Sequence, residues 1–441
     1  YIYINYMYNF IIDPSTHQSI SIFSKKGKNI LRKYLSAKLI AGYLADPEII
    51  KVLGSNDPKD NIQLVMNLKK KLEKKEEELE ECEQKFQAER DFKSGILNGD
   101  TNLVSQALNY PIDPNMVITD GKTALMLAVL SEQDYLVKLL LADPRVNPNS
   151  ANPILTHTAV RDSGRTALMS ASEKGDAPMV KLLLTHDRIE PNMIDNEKNS
   201  MTALMFAANK GYAEVVRLLL ADRRVDPKIK DKFGYTALYK AVGPGHASVV
   251  AQLLADQRVD PNVAITSGRT PLMQAVAMRR TPVVTLLLTH NRIDPNMADL
   301  NGRTALMIAA KVGNDSLVKL ILGDPRVDPN MTDKNGFTAL MFAAIRGDAS
   351  LVKLILADQR VDANMTDKNG STALNLAAKN RKPDAPVVTL LKIHQEREQT
   401  HEVQEEDRGE SSLPMNNAII SSDVEDRTNL GQTEGSFCII S

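Results

Sequence analysis

The sequence predicts a mainly α solenoid of helix-turn-helix units with hairpin fingers, preceded by a charged helix and followed by an acidic tail. The first reason is a phrase, GKTALMLA, whose close copies place Thr at 123, 166, 202, 236, 270, 304, 338 and 372. The spacing is 34 residues from Thr202 onward, after gaps of 43 and 36. A second phrase recurs between these copies, as DPRVNPN at 143–149, DRRVDPK at 222–228, DQRVDPN at 256–262 and DPRVDPN at 324–330. Self-similarity at such a period is the mark of stacked repeats. Composition agrees: 43% of residues are hydrophobic, only 5% are aromatic and there is no Trp. Thin layers of Ala, Leu, Val and Met do not need the aromatic anchors of a large compact core.

Each unit reads physically. In 299–331, Asn301-Gly302 is a hairpin-turn signal. Thr304 stands where a side-chain oxygen caps a helix start. Leu306, Ala309 and Ala310 form one apolar face at helical spacing, and Gly313 suits a left-handed helix end. A second helix is expected from Ser316 to Leu322, with Leu317, Val318, Leu320 and Ile321 inward, until Asp324-Pro325 stops it. Neither helix is long enough to stand alone in water, so each must bury its face on a neighbouring unit.

On the pattern D-x-x-G-x-T-A-L-M-x-A-A-x-x-G, the chain resembles the ankyrin repeat family over about residues 95–395. That family usually has Pro and His where this unit has Ala305 and Met307, and a period of 33. The family's His ties neighbouring repeats by hydrogen bonds. Met126, Met169, Met205, Met273, Met307 and Met341 stand in its place, so apolar packing is expected to replace that bond, with the extra residue in the loop after the second helix. Gly99-Asp100 with Leu103, Val104 and Ile112-Asp113-Pro114-Asn115 reads as a degenerate first repeat, and Val387–Leu391 as a last helix. The array then spans 93–395, with about nine units whose atypical ends act as caps.

The resemblance implies a non-enzymatic scaffold that binds a partner protein through its concave face and fingers. The family's contact positions fall here on Arg165, Lys174, Asn209, Lys210, Phe233, Tyr235, Arg269, Met278, Arg279, Arg303, Lys311, Phe337, Arg346 and Lys379. They vary from unit to unit while the surrounding pattern does not. Their basic and aromatic character suits interface anchors for a partner with an acidic or mixed surface, though a solvated charged face would read the same way. The insertion 149–164 enlarges one finger and adds Ile154, Leu155 and Val160. The Gly243-Pro244-Gly245 turn is irregular and expected to deform its own repeat.

Other function classes are disfavoured. A net charge of −1 lacks the basic excess that a nucleic-acid binder needs. No apolar run approaches a membrane span, and two cysteines, Cys82 and Cys438, are too few for a disulfide scaffold. The seven His show no metal-ligand spacing, and no phosphate-binding loop or nucleophile elbow appears. No catalytic, cofactor or metal site is expected. The sequence starts with Tyr, so an N-terminal address is unreadable. A cytoplasmic location is the expectation.

The flanks differ in chemistry. Residues 61–92 form a charged helix in which Val65, Leu68, Leu72, Leu79, Cys82 and Phe86 fit a heptad register, failing at Lys75 and Glu89. It reads equally as a homodimeric coiled coil or as a single solvated helix. Residues 1–60 hold a basic stretch, Lys25 to Lys33, followed by an apolar stripe through Ile40. A small helical segment of unknown role is expected there. The segment 396–441 carries a charge of −8 and reads as disordered. It ends Cys438-Ile439-Ile440-Ser441, which resembles a C-a-a-X prenylation box and implies lipidation at Cys438. A prenylated chain would sit peripherally on the cytosolic face of a membrane. Two other functional readings fit the same features: a substrate adaptor or regulatory subunit of an enzyme such as a ubiquitin ligase, and a secreted ankyrin effector of an intracellular bacterium acting in its host.

Overall fold

Threonine sets where the inner helices begin. Thr123, Thr166, Thr202, Thr236, Thr270, Thr304 and Thr338 are buried, and each hydroxyl oxygen accepts the backbone N–H three residues on at 3.3–3.4 Å. Each such cap stabilises its helix by about 1 kcal/mol. The computed structural model describes residues 4–5, 10–12, 19–21, 58–151, 164–195, 200–380 and 385–409. They divide into two compact units, Tyr1–Ser170 with His186–Ile189, and Ala171–Thr185 with Glu190–Ser441.

In the first unit, β1 (Ile4–Asn5), β2 (Phe10–Ile12) and β3 (Ser19–Ser21) pair antiparallel in that order. The helical segment expected within 1–60 rests on residues that lie outside the described ones, so these strands stand beside that expectation. The run is rich in Tyr, Phe and Ile, which favour a pleated strand. The apolar stripe from Ile30 lies outside the described residues. Helix α1 (Pro58–Asn98) is longer at both ends than the expected 61–92. Its Ala88, Phe92 and Ile96 are buried, at a four-residue spacing distinct from the heptad register, and it packs on α2 (Thr101–Leu108), which Asp100 caps. Cys82 and Phe86 of that register are exposed. The hairpin β4 (Val117–Thr119) and β5 (Lys122–Thr123) then leads into α3 (Ala124–Leu130) and α4 (Asp134–Ala142). The residues of α5 (Ala167–Lys174) divide between the units.

The second unit alternates inner and outer helices. After α6 (Ala177–Leu184), the inner helices are α7 (Ala203–Lys210), α9 (Ala237–Val242), α11 (Pro271–Ala277), α13 (Ala305–Val312), α15 (Ala339–Arg346) and α17 (Ala373–Asn380). The outer ones continue as α8 (Ala213–Ala221), α10 (Ala247–Ala255), α12 (Thr281–Thr289), α14 (Asp315–Leu322), α16 (Ala349–Leu356) and α18 (Pro386–Gly409). Inner packs on inner and outer on outer down the stack. Gly313 ends α13 at φ 68°, as its position suggested. Asn314 caps α14, which therefore starts one residue before Ser316. Leu317, Val318 and Ile321 are buried as expected, but Leu320 is half-buried and lines an open groove between α12 and α14; Leu322 is buried instead. Helix α9 stops at Val242, ahead of the Gly-Pro-Gly turn. Helix α18 runs on past Glu396 to Gly409, so the expected disorder does not hold for 396–409. Among the described residues no helix is long and apolar enough to cross a membrane.

The loops after the outer helices bind one repeat to the next. Asp256 holds the Arg258 guanidinium, Nη2 to Oδ2 at 2.6 Å, and aims it at the preceding repeat. Arg258 there donates to the carbonyls of Leu220 and Val225, both at 2.8 Å. Arg326 reaches Ile293 O at 3.0 Å, and Arg360 reaches Leu322 O at 2.7 Å and Val327 O at 2.8 Å. The bound guanidinium holds the carboxyls of Asp222, Asp256, Asp324 and Asp358 below the usual carboxylate range. Asparagine makes the reciprocal link. Asn262 Nδ2 donates to Arg292 O at 2.7 Å while its Oδ1 accepts from the Asp294 amide at 3.0 Å; Asn192, Asn296 and Asn330 repeat both bonds. In the first unit, Arg145, Arg188 and Asn115 do the same.

One rung differs. Lys228 occupies the asparagine place in its loop, so neither Arg258 O nor the Asp260 amide has a carboxamide partner. Lys228→Asn restores two bonds and is expected to stabilise the chain by about 1 kcal/mol. A raised denaturant midpoint checks this; an unchanged or lowered midpoint counts against the ladder.

Candidate interaction face

The fingers of the second unit are held by buried carboxylates. Asp231 Oδ1 accepts the amides of Phe233 at 2.9 Å and Tyr235 at 2.8 Å. Asp299 does this for Asn301 and Arg303, Asp333 for Asn335 and Phe337, and Asp367 for Asn369 and Ser371. A side chain thus closes these four turns, while the 265–269 finger, with Ile265 at that place, is closed by backbone alone, and among the described residues only β4–β5 pair as a finger hairpin. Consecutive fingers are joined through backbone: Leu300 N donates to Ser267 O at 3.2 Å, Lys334 N to Asn301 O at 2.9 Å and Lys368 N to Asn335 O at 3.0 Å. Glycine is required at this approach. Gly302 has φ 79°, and a Cβ there would lie 2.8 Å from Lys334 N.

Burying the finger acids leaves the exposed charge basic. Lys230, Lys232, Lys334 and Lys368 are exposed, and Arg269 and Arg303 are half-buried. Arg303 Nε lies 3.9 Å from Asp333 Oδ2 of the next finger.

One repeat carries an aromatic cluster. Phe233, 44% exposed, lies 5.9 Å from Tyr235 between ring centroids, and Tyr235 lies 4.8 Å from Tyr239. Lys240 Nζ sits 4.6 Å from the Tyr235 centroid and 2.7 Å from Asp231 Oδ2, a pair almost wholly removed from solvent. The Tyr239 hydroxyl donates to Gln274 Oε1 at 3.1 Å, and burial pushes its phenol up. With its charge already compensated, Lys240 fixes the rings in place more than it attracts a partner.

The structure places the family-derived positions in two groups. Phe233, Tyr235, Arg269, Arg303 and Phe337 stand on the fingers, Phe337 against Phe342 at 5.7 Å. Lys174, Asn209, Lys210, Met278, Arg279, Lys311, Arg346 and Lys379 are exposed at the ends of inner helices. Several of these also serve the stack. Arg279 donates to Val312 O at 3.2 Å, Arg346 to Lys311 O at 3.4 Å, and Lys210 lies 3.8 Å from Glu173. Arg165, in the first unit, is half-buried just before Thr166. Ile154, Leu155, Val160 and Cys438 lie outside the described residues.

Tyr239, Lys240, Gln274 and Leu300 escaped the sequence reading. The signal was a break in the repeat: Lys240 and Gln274 stand where Phe206, Ile308 and Phe342 stand, and Leu300 where three other fingers have Lys232, Lys334 and Lys368.

A family model for ankyrin repeats, three copies at a time, matches residues 95–195, 148–231, 204–299, 244–333 and 306–402. The chain belongs to the ankyrin repeat family. Among solved structures, the ankyrin repeat domain of Bcl-3, described as a unique member of the IkappaB protein family, is similar at 26% identity. The match covers 52% of this chain and 99% of that one, with a TM-score of 0.48. No curated protein matches by sequence. Ankyrin repeats are protein-interaction modules and typically not enzymes.

Proposed function

We propose that this ankyrin protein is a scaffold whose second unit takes an acidic or mixed protein surface on its fingers and inner-helix ends. The observation that carries this is the sorting of charge on the fingers. The acids are buried and hydrogen-bonded, while lysines and arginines face solvent beside the aromatic cluster. Such a surface pairs electrostatic steering with aromatic anchors. The second part of the proposal is peripheral membrane attachment on the cytosolic side through prenylation of Cys438 in the terminal Cys-Ile-Ile-Ser. A single prenyl chain anchors weakly and reversibly, so partner binding would have to add a second attachment.

Capture of a protein partner by the immobilised full chain tests the first part. Retention is expected to fall at least about tenfold when salt is raised from 0.1 to ~0.5 M, and similarly in a Lys232→Glu, Arg269→Glu variant. Salt-insensitive capture that the variant retains would contradict it. For the second part, chain produced in eukaryotic cells is expected to show a prenyl mass increment that Cys438→Ser removes. An unmodified mass rejects the tether.

A further inference from the structure

Acidic and basic charge are separated along this chain. Residues 410–437 hold Glu410, Asp423, Glu425, Asp426 and Glu434 against a single Arg427, and Ile419, Ile420 and Val424 lie among them. The finger surface offers the complement. Phe233 and Leu300, 44% and 61% exposed, stand on the fingers flanking the one that carries Arg269. The three fingers are tied in series by Thr266 N to Phe233 O at 3.4 Å and Leu300 N to Ser267 O at 3.2 Å. Arg303 has Asp333 at 3.9 Å, but among the described residues no carboxylate lies within ion-pair distance of the half-buried Arg269. The guanidinium is close enough to Tyr239 for its charge to act on that phenol. An unmatched cation between two exposed apolar side chains, on a backbone-braced ribbon, fits an extended segment with carboxylates set among aliphatic residues.

We infer that the occupant is the chain's own acidic segment, 419–426, with Asp423, Glu425 and Asp426 facing Arg269 and Lys232 and the aliphatic residues covering Phe233 and Leu300. This rests on the reading of the fingers as a docking face and names what covers them in the resting chain. The reach suffices. Inner helices at the usual packing distance put α11 about 30 Å from α17 along the stack. The overhang of the 24-residue α18 adds about 23 Å across it, roughly 38 Å in all, and the stretch 410–423 extends up to about 48 Å. Tethering in one chain raises the local concentration of the segment, so weak contacts are enough. A foreign partner would then have to displace it, which makes the tail a competitor for the partner's own site.

Carbodiimide coupling of carboxylates to lysines in the dilute full chain, mapped by mass spectrometry, tests this directly. Couplings from Asp423, Glu425 or Asp426 to Lys232 or Lys334 within one molecule are expected at least about fivefold above those to Lys181 and Lys353, which are exposed on outer helices. Arg269→Glu and Phe233→Ser should each cut them severalfold, and Arg269→Lys should keep them. Couplings spread evenly over the four lysines, unmoved by Arg269→Glu, or found only between molecules would overturn the proposal. The readout needs no foreign partner, so its failure leaves partner capture on this face standing.

Discussion

The bonds from each outer loop to the next are the constraint on which the second unit depends. Burial supplies most of the energy. Val249, Val250, Leu253 and Leu254 of α10 alone are 0–5% exposed, and side chains of this kind contribute about 2 kcal/mol each. Apolar contact has little direction, however, and layers of Ala, Leu and Val can slide. The arginine and asparagine bonds add less free energy, about 2–3 kcal/mol per junction, but they accept only one register. Arg258, Arg326 and Arg360 are each aimed by an aspartate two residues earlier, whereas Arg292 has His290 in that place.

That fixed register creates the candidate face. Fingers from successive repeats meet backbone to backbone, and side chains from adjacent turns then form one surface. The buried aspartates do two jobs there. They close four of the turns, and they take negative charge out of solvent, which leaves a basic rim although the whole chain carries a net charge of −1. The aromatic cluster interrupts this pattern in one repeat, where Lys240 is turned inward onto Asp231 and Tyr235.

Much of this was legible in the sequence. The repeated threonines, Gly313 and the alternation of short helices follow from capping and periodicity, which act over a few residues. What replaces the family's histidine was only half legible. The methionines at that place are buried, as expected, but polar ties between repeats persist in the outer loops. The phrase D-x-R-V-D-P-N was visible as a repeat. Its meaning was not, because Arg326 bonds residues 33 to 38 positions away, and no local rule relates such positions. The fingers were expected as strand hairpins, and a carboxylate won the competition for the turn amides. The extension of α18 to Gly409 was missed because acidic composition decided that reading, and local helix preference prevailed in the fold.

Residue-resolved amide hydrogen exchange addresses the central claim most directly. The Asp226, Asp294, Asp328 and Asp362 amides donate to asparagine side chains of the preceding loop, and Asp260 faces Lys228 instead. If the loop ladder holds the repeats in register, those four amides exchange at least about tenfold more slowly than Asp260. Equal exchange at all five would mean that the ladder bonds do not persist in solution and that packing alone sets the stack.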